Sequence, residues 1–194
     1  MQTPGKDGLE PYSGITIRRP GKSPPDLRLF GNEVVDVSGD FVEFLGPPAG
    51  LFPSCATLPQ VEGTLTFRFD GQPIEPYLLV PAQPAAPDQD RWAPLKSYEA
   101  LRPYIGMLVR LENVTISEIG GSSGDFTATI DVGGGVNVTD QVKITNELYD
   151  ITDTGPAIAE GTTFTSVTGV VSYFYSFKIA PRSPDDFVRA SAGE

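Results

Sequence analysis

The residues that come closest to a chemical site lie near the end of the chain, in the stretch "SYFYSFKIAPRSPDD". Tyr173 and Tyr175 alternate along a predicted strand, and aromatic rings on a strand face can stack on nucleic-acid bases or sugar rings. The alternative is structural: Phe174 and Phe177 fill a core, while the tyrosines cap its edge or lie in a subunit contact. The acidic character of the chain favours the structural interpretation.

Arg182 completes the candidate binding residues, which are Tyr173, Tyr175, Phe177 and Arg182. Arg182 can pair with Asp185 or Asp186 in a functional loop, although the end of the last strand favours a structural clasp here. Asp186 is also a candidate calcium ligand, together with Asp125 or Asp131, because hard cations prefer carboxylate and carbonyl oxygens. No D-x-D-x-D-G spacing occurs, so the sequence predicts no bound metal.

The chain of 194 residues contains no histidine and a single cysteine, Cys55. Without histidine there is no Ser-His-Asp or Cys-His nucleophile system, no histidine-ligated zinc and no histidine general base. Cys55 cannot form an internal disulfide, and we expect it to be a small buried apolar residue. The sequence therefore predicts a protein without a catalytic site and without a cofactor.

The charge balance bears on partners and location. With 14 basic and 25 acidic residues, the net charge is −11, which disfavours binding to a phosphate backbone. No apolar run is long enough to span a bilayer, and the first residues have neither the basic nor the apolar region of a signal peptide. Acidic, Thr/Gly/Pro-rich sequence with little Cys or Lys suits a secreted bacterial protein expressed without its leader.

Alternation of apolar and polar residues recurs along the chain and predicts an all-β fold. Residues 31–44 and 64–70 alternate in the first half, and Asp70-Gly71 predicts a hairpin turn. In the second half, residues 104–119 predict a long strand with Val109, Leu111 and Asn113 on one face. Strands at 126–132 and 136–144 follow, then a helical turn near 145–151, then two more strands from Phe164 onwards.

The stretch "PAQPAAPDQDRWAPLKS", residues 81–97, is the clearest boundary in the chain. Its four prolines, alanines and polar residues predict a stiff, extended linker. We therefore expect two domains, residues 1–80 and 98–190, joined by this linker.

A repeat links the two halves. "GNEVVDVSGDFVEF" at 31–44 and "GTTFTSVTGVVSYF" at 161–174 align without a gap. Four positions are identical: Gly31/Gly161, Val37/Val167, Gly39/Gly169 and Phe44/Phe174. A glycine within a strand usually marks a bulge or a tight bend, because it lacks the Cβ atom that would obstruct the bend. We interpret the two stretches as the same strand, occurring once in each of two tandem domains.

Five strands, with a long first strand, a break after the third and a glycine in the fourth, fit an OB-fold, a five-stranded Greek-key barrel. The sequence thus predicts an all-β protein of two tandem OB-like barrels. The first half reaches "SGITI" without a preceding strand, so we expect the first barrel to lack its opening strand and part of its second.

The segments "YEALRPYIGMLVRLENVTI" and "GTTFTSVTGVVSYFYSFKIAPRSPDDF" resemble the OB-fold domains of secreted bacterial proteins. Such domains often accompany extracellular endonuclease/exonuclease domains or occur in large surface proteins. The resemblance covers most of residues 98–187 and extends to "PYSGITI", "GNEVVDVSGDFVEF" and "EPYLLVPA" in the first half. It implies a secreted or cell-surface location.

Taken together, these features predict a non-catalytic protein that acts in binding or self-assembly through strand edges and barrel faces. The expected partners are other copies of the chain or another surface protein. One alternative is a nucleic-acid-binding accessory module of an extracellular nuclease system, which the negative charge disfavours. The third possibility is a carbohydrate or cell-wall binding module.

Overall fold

A computed structural model of the chain describes residues 10–48, 50–79, 98–120, 127–131 and 143–189, with the strand at 127–131 described through its backbone. The described residues form ten strands in two mixed sheets, one of three strands and one of seven. The part of the chain described here also has two α-helices of four residues each, α1 (Tyr98–Leu101) and α2 (Ile151–Thr154). The prediction of an all-β protein is confirmed, whereas the prediction of two tandem five-stranded barrels is not confirmed by these two sheets.

The three-stranded sheet belongs to the first half of the chain. It consists of β1 (Thr16–Ser23), β2 (Glu33–Phe44) and β3 (Leu58–Asp70), in the order β1-β3-β2. β2 and β3 pair antiparallel along their whole length, and β1 pairs parallel to β3. Gly39 lies directly opposite Gly63, so the two strands approach closely at the centre of the sheet.

The hairpin turn predicted at Asp70-Gly71 is wrong. β3 ends at Asp70, but its antiparallel partner is the preceding strand β2 rather than a following one. The Gly71 amide donates to the Asn32 carbonyl (3.0 Å) and so closes the start of β2 against the end of β3. The next strand, β4 (Tyr77–Leu78), pairs parallel to a strand of the second half.

The seven-stranded sheet contains β4 and the six strands of the second half. These are β5 (Leu108–Gly120), β6 (Thr127–Asp131), β7 (Lys143–Thr145), β8 (Thr163–Tyr173), β9 (Phe177–Ala180) and β10 (Phe187–Val188). The sheet order is β10-β8-β9-β7-β6-β5-β4, and β8 also pairs with β5. The pairings therefore run from β5 through β6, β7, β9 and β8 and return to β5.

The repeat found in the sequence occupies equivalent strands in the two sheets. β8 pairs antiparallel to β9, and β9 pairs parallel to β7. β2 pairs antiparallel to β3, and β3 pairs parallel to β1, so β1, β2 and β3 correspond to β7, β8 and β9. Gly39 and Gly169 lie in corresponding strands, and each is packed against the backbone of the strand that follows.

Asn113 changes the face that β5 turns to the interior. Val109 and Leu111, predicted to share one face, are both buried, but Asn113 has a positive φ of 54°. After this left-handed residue the buried side chains are Val114 and Ile116, so the inward face moves from odd to even positions. Asn tolerates this backbone conformation better than most residues do, which explains why it is found at the switch.

The hydrophobic core lies inside the second half, and the first half contributes to it through a loop. Phe52, in the connection between β2 and β3, is 5% exposed. Its ring packs edge-on against Phe44 of the first half and against Tyr173 and Tyr175 of the second, with centroids 5.1–5.7 Å away. The corresponding connection between β8 and β9 is the short turn at 174–176, so the longer loop is what joins the two halves.

Polar contacts across the two halves reinforce this join. Arg102 donates to Glu43 (2.5 Å), and the Thr57 amide donates to the Tyr98 hydroxyl (3.0 Å). The Leu79 amide donates to the Arg110 carbonyl beside the β4–β5 pair. The linker predicted at 81–97 lies outside the described residues, and the described parts of both halves are in direct contact.

The sites of the two strand glycines predict a stability effect. A Cβ at Gly39 would collide with the Glu62 carbonyl, and one at Gly169 would lie 2.8 Å from the Ala180 carbonyl. We expect Gly39→Ala and Gly169→Ala each to lower the free energy of unfolding by about 1–3 kcal/mol in urea titrations. Gly31→Ala is the control, because nothing lies within 4 Å of its Cβ position. Equal effects at all three glycines would contradict this interpretation.

The buried ring of Phe52 predicts a larger effect. Phe52→Ala should lower the free energy of unfolding by about 3–5 kcal/mol, because it empties a buried aromatic site. Phe30→Ala should change it by less than about 0.5 kcal/mol, since Phe30 is largely exposed. Urea titration followed by near-ultraviolet circular dichroism measures both variants. A small loss for Phe52→Ala would show that the loop does not join the halves.

Candidate strand-docking surface

The three-stranded sheet has one apolar face, defined here as the side chains that share the side of Val37. Residues directly opposite each other in neighbouring strands lie on the same face. Val37 lies opposite Leu65, and Phe41 lies opposite Val61, which also lies opposite Ile17 of β1. The apolar face consists of Ile17, Val35, Val37, Phe41, Val61, Leu65 and Phe67, and the exposed Lys22 of β1, which lies opposite Leu65, shares this side of the sheet.

Much of this apolar face is accessible to solvent. Phe41 is 60% exposed and Phe67 is 38% exposed, while Leu65 is buried. The remaining members of the face are half-buried. An exposed phenylalanine alone is ordinary, but a row of apolar side chains on one side of a sheet indicates a binding surface.

The opposite face of the sheet is polar and acidic. It carries the exposed side chains of Asp36, Ser38, Asp40, Glu62, Thr64 and Thr66. Arg68 pairs with Asp36 (2.5 Å) and Arg18 pairs with Glu62 (3.2 Å). Asp40, at the middle of β2, has no ion-pair partner among the described residues. The outer strand β2 therefore presents an uncompensated negative charge at its centre.

Both outer strands of this sheet have one neighbour each within the described ranges. β2 pairs with β3 on one side, and β1 pairs with β3 on one side. The main-chain groups on the outer edges of β2 and β1 thus face away from the sheet. An edge of this kind is a template for pairing with a further strand.

The second half shows what the equivalent surface looks like when it is covered. Val171 corresponds to Phe41 in the repeat and is 2% exposed, and Val167 corresponds to Val37 and is fully buried. β5 lies along the outer edge of β8 and places Val109 opposite Gly169 and Leu111 opposite Val167. β6 pairs with β7 in the place that corresponds to the outer edge of β1.

The sequence indicated part of this surface. Alternation placed Val37 and Phe41 on one side of a predicted half-buried strand and separated Leu65 from Thr64 and Thr66. Alternation alone does not distinguish a covered face from an open one. The polar edge residue Asp40 carried no recognisable signal.

The four predicted binding residues do not lie together: some are in the core and others are at the surface. Tyr173 and Phe177 are buried with centroids 4.9 Å apart, and burial together with Tyr98 raises the pKa of the Tyr173 hydroxyl. Tyr175 is partly exposed, but its hydroxyl donates to the Gly50 carbonyl in the loop that carries Phe52. The two tyrosines do not form one exposed pair of rings.

Arg182 forms a clasp with Asp186 at the end of the chain's last turn. Its guanidinium donates to both carboxylate oxygens of Asp186 (3.0 and 2.8 Å), and its own amide donates to the same group (2.7 Å). These hydrogen bonds raise the pKa of the Arg182 guanidinium. Asp186 is buried, and both oxygens of its carboxylate accept hydrogen bonds from Arg182.

The calcium candidates do not come together in the described part of the chain. Asp125 lies outside the described residues, and Asp131 is described by its backbone at the end of β6. Within the described ranges, no three acidic or cysteine side chains are placed to hold a metal ion. Cys55, which we expected to be buried, is exposed in the turn after Phe52.

Two further findings concern the chain as a whole. None of the helices in the described ranges is long and apolar enough to cross a membrane. No protein-family model matches the sequence, and neither a curated protein nor a solved structure is significantly similar to it.

Proposed function

We propose that this chain is a non-catalytic binding or assembly protein that accepts β-strands at the edges and apolar face of its three-stranded sheet. The observation that carries this proposal is the exposure of Phe41, at a position whose counterpart Val171 is buried beneath neighbouring strands. The same strand arrangement is thus completed in one half and open in the other.

The proposal also includes the fold of the two halves. The circuit of pairings through β5, β6, β7, β9 and β8, with β7 and β9 parallel, supports an OB-fold barrel in the second half. The first half then corresponds to the last three strands of such a barrel. The two strands that would complete it have no counterpart among the described residues.

Strand addition accounts for both affinity and selectivity at such a surface. Main-chain hydrogen bonds along β2 provide affinity, and alternate side chains of the added strand reach the apolar face. Fully burying a phenylalanine or valine side chain contributes about 1.5–3 kcal/mol, so covering Phe41 and Phe67 gives a substantial driving force.

Two further parts of the proposal come from the sequence. The lack of histidine supports a non-catalytic role, since the common nucleophile and general-base systems require it. The resemblance to OB-fold domains of secreted bacterial proteins supports a secreted or cell-surface location. Both are consistent with a protein that works by binding.

A selection of peptides tests the function without assuming a partner. We expect a display library of peptides about 20 residues long, enough for two strands, to yield binders of the wild-type protein. Phe41→Lys should weaken these binders about tenfold or more, because it places a charge at the centre of the apolar face. Fluorescence anisotropy of labelled peptides measures the affinities.

Leu148→Lys is the matched control, because Leu148 is 57% exposed and belongs to the connection between β7 and α2 rather than to the three-stranded sheet. It should leave peptide affinity unchanged. If selection yields no binders, or binders that are insensitive to Phe41→Lys, this surface does not accept strands and the proposed function is wrong.

A further inference from the structure

We infer that the partner of the open sheet is a β-hairpin from another protein, whose strand beside β2 alternates apolar residues with Lys or Arg. This inference rests on the proposed function and specifies the number of strands and their chemistry. The second half supplies the template, because it shows the same three strands with both edges occupied.

The template requires two joined strands. In the second half, β5 covers the outer edge of β8, β6 covers the outer edge of β7, and β5 pairs antiparallel with β6. The corresponding edges of the first half are those of β2 and β1, and neither is occupied by a strand of the described ranges. A single added strand would satisfy one of these edges, whereas a hairpin satisfies both and covers the apolar face between them.

The register of the template fixes where the apolar residues of the hairpin must lie. Val109 lies opposite Gly169 and Leu111 lies opposite Val167, and both side chains are buried. Through the repeat, the partner strand needs apolar side chains opposite Gly39 and Val37. Gly39 itself has no side chain, so the partner residue opposite it is expected to pack beside the exposed ring of Phe41.

The polar face of β2 fixes the charge of the alternate residues. Leu108 lies opposite Val170 and Glu112 lies opposite Ser166, and the corresponding residues of β2 are Asp40 and Asp36. Like charges directly opposite each other in a sheet are destabilising, and opposite charges are stabilising. Asp36 is already paired with Arg68, so the uncompensated charge of the two, within the described residues, is that of Asp40. A partner strand with Lys or Arg opposite Asp40 therefore matches β2, whereas β5, with Leu108 at this place, does not.

A second copy of the chain matches this surface less well. Antiparallel pairing of two β2 strands about Ser38 would place Asp36 opposite Asp40 of the other copy. Such pairing would also extend the sheet at one edge without covering the apolar face. The net charge of −11 adds repulsion between copies.

Synthetic peptides of residues 107–131 provide the probe, because this segment contains β5, β6 and their connection. The basic peptide carries Leu108→Lys and Glu112→Lys, and the acidic peptide carries Leu108→Glu. We expect the wild-type protein to bind the basic peptide about three- to tenfold more tightly than the acidic one. Asp40→Lys in the protein should reverse this preference, and added salt should reduce it.

Two controls test which sheet the peptide binds and whether both of its strands take part. Phe41→Lys should abolish binding of the basic peptide, which would not happen if the peptide displaced β5 and β6 from the second half. A shorter peptide of residues 107–120 with the same two substitutions should bind at least about tenfold more weakly, since it pairs with one edge.

Each other outcome overturns the inference in a recognisable way. Equal affinity for the basic and acidic peptides rejects the charge pattern, and equal affinity for the long and short peptides rejects the hairpin. Sedimentation that shows a wild-type dimer but a Phe41→Lys monomer identifies a second copy as the occupant. If these peptides fail while selected peptides still depend on Phe41, the hairpin inference is wrong and strand acceptance stands.

Discussion

The pairing of β8 with β5 is the contact on which the second half depends. A strand has two edges, and unpaired main-chain groups at an edge remain available to any other strand. When β5 occupies the outer edge of β8, it also places Val109 and Leu111 over the glycine and valine of that strand. The same contact therefore satisfies the main chain and buries the core. β2 has the same sequence pattern, but no described strand occupies its outer edge.

The first half does not depend on its own small core for its position. A three-stranded sheet with one exposed apolar face buries little surface and would be marginal alone. Phe52 and Leu79 instead belong to the core of the second half, and Arg102 pairs with Glu43 across the join. Because the loop between β2 and β3 anchors the sheet in the core of the second half, its apolar face can stay uncovered while the sheet remains folded. This arrangement leaves the face available for binding.

The sequence predicted many of the strands, but it did not predict which strands pair or which side chains meet in the core. Alternation identified the all-β class, and the shared glycines identified β2 and β8 as equivalent strands, because both signals are local. The Asp70-Gly71 turn was misread, since turn residues show where a strand ends but not which strand pairs with it. The structural interpretation placed Phe177 in a core, as found, but also Phe174, which is exposed. The burial of Tyr173 and the contacts of Phe52 depend on distant segments of the chain. Alternation also predicted Asn113 on the wrong face, because a single left-handed residue reverses the pattern that follows it.

An open apolar sheet in an acidic protein must discriminate between partners, since the same edge that accepts a strand can also accept copies of itself. The residues that can distinguish a second copy of the chain from another strand lie on the polar face. Asp36 and Asp40 lie on β2 on either side of Ser38, so an approaching β2 from another copy meets like charge. A strand with a basic residue opposite Asp40, which has no ion-pair partner among the described residues, would gain from that carboxylate. If the proposed function holds, the carboxylates that repel a second copy of the chain also select the partner, and selectivity at this surface requires no additional pocket.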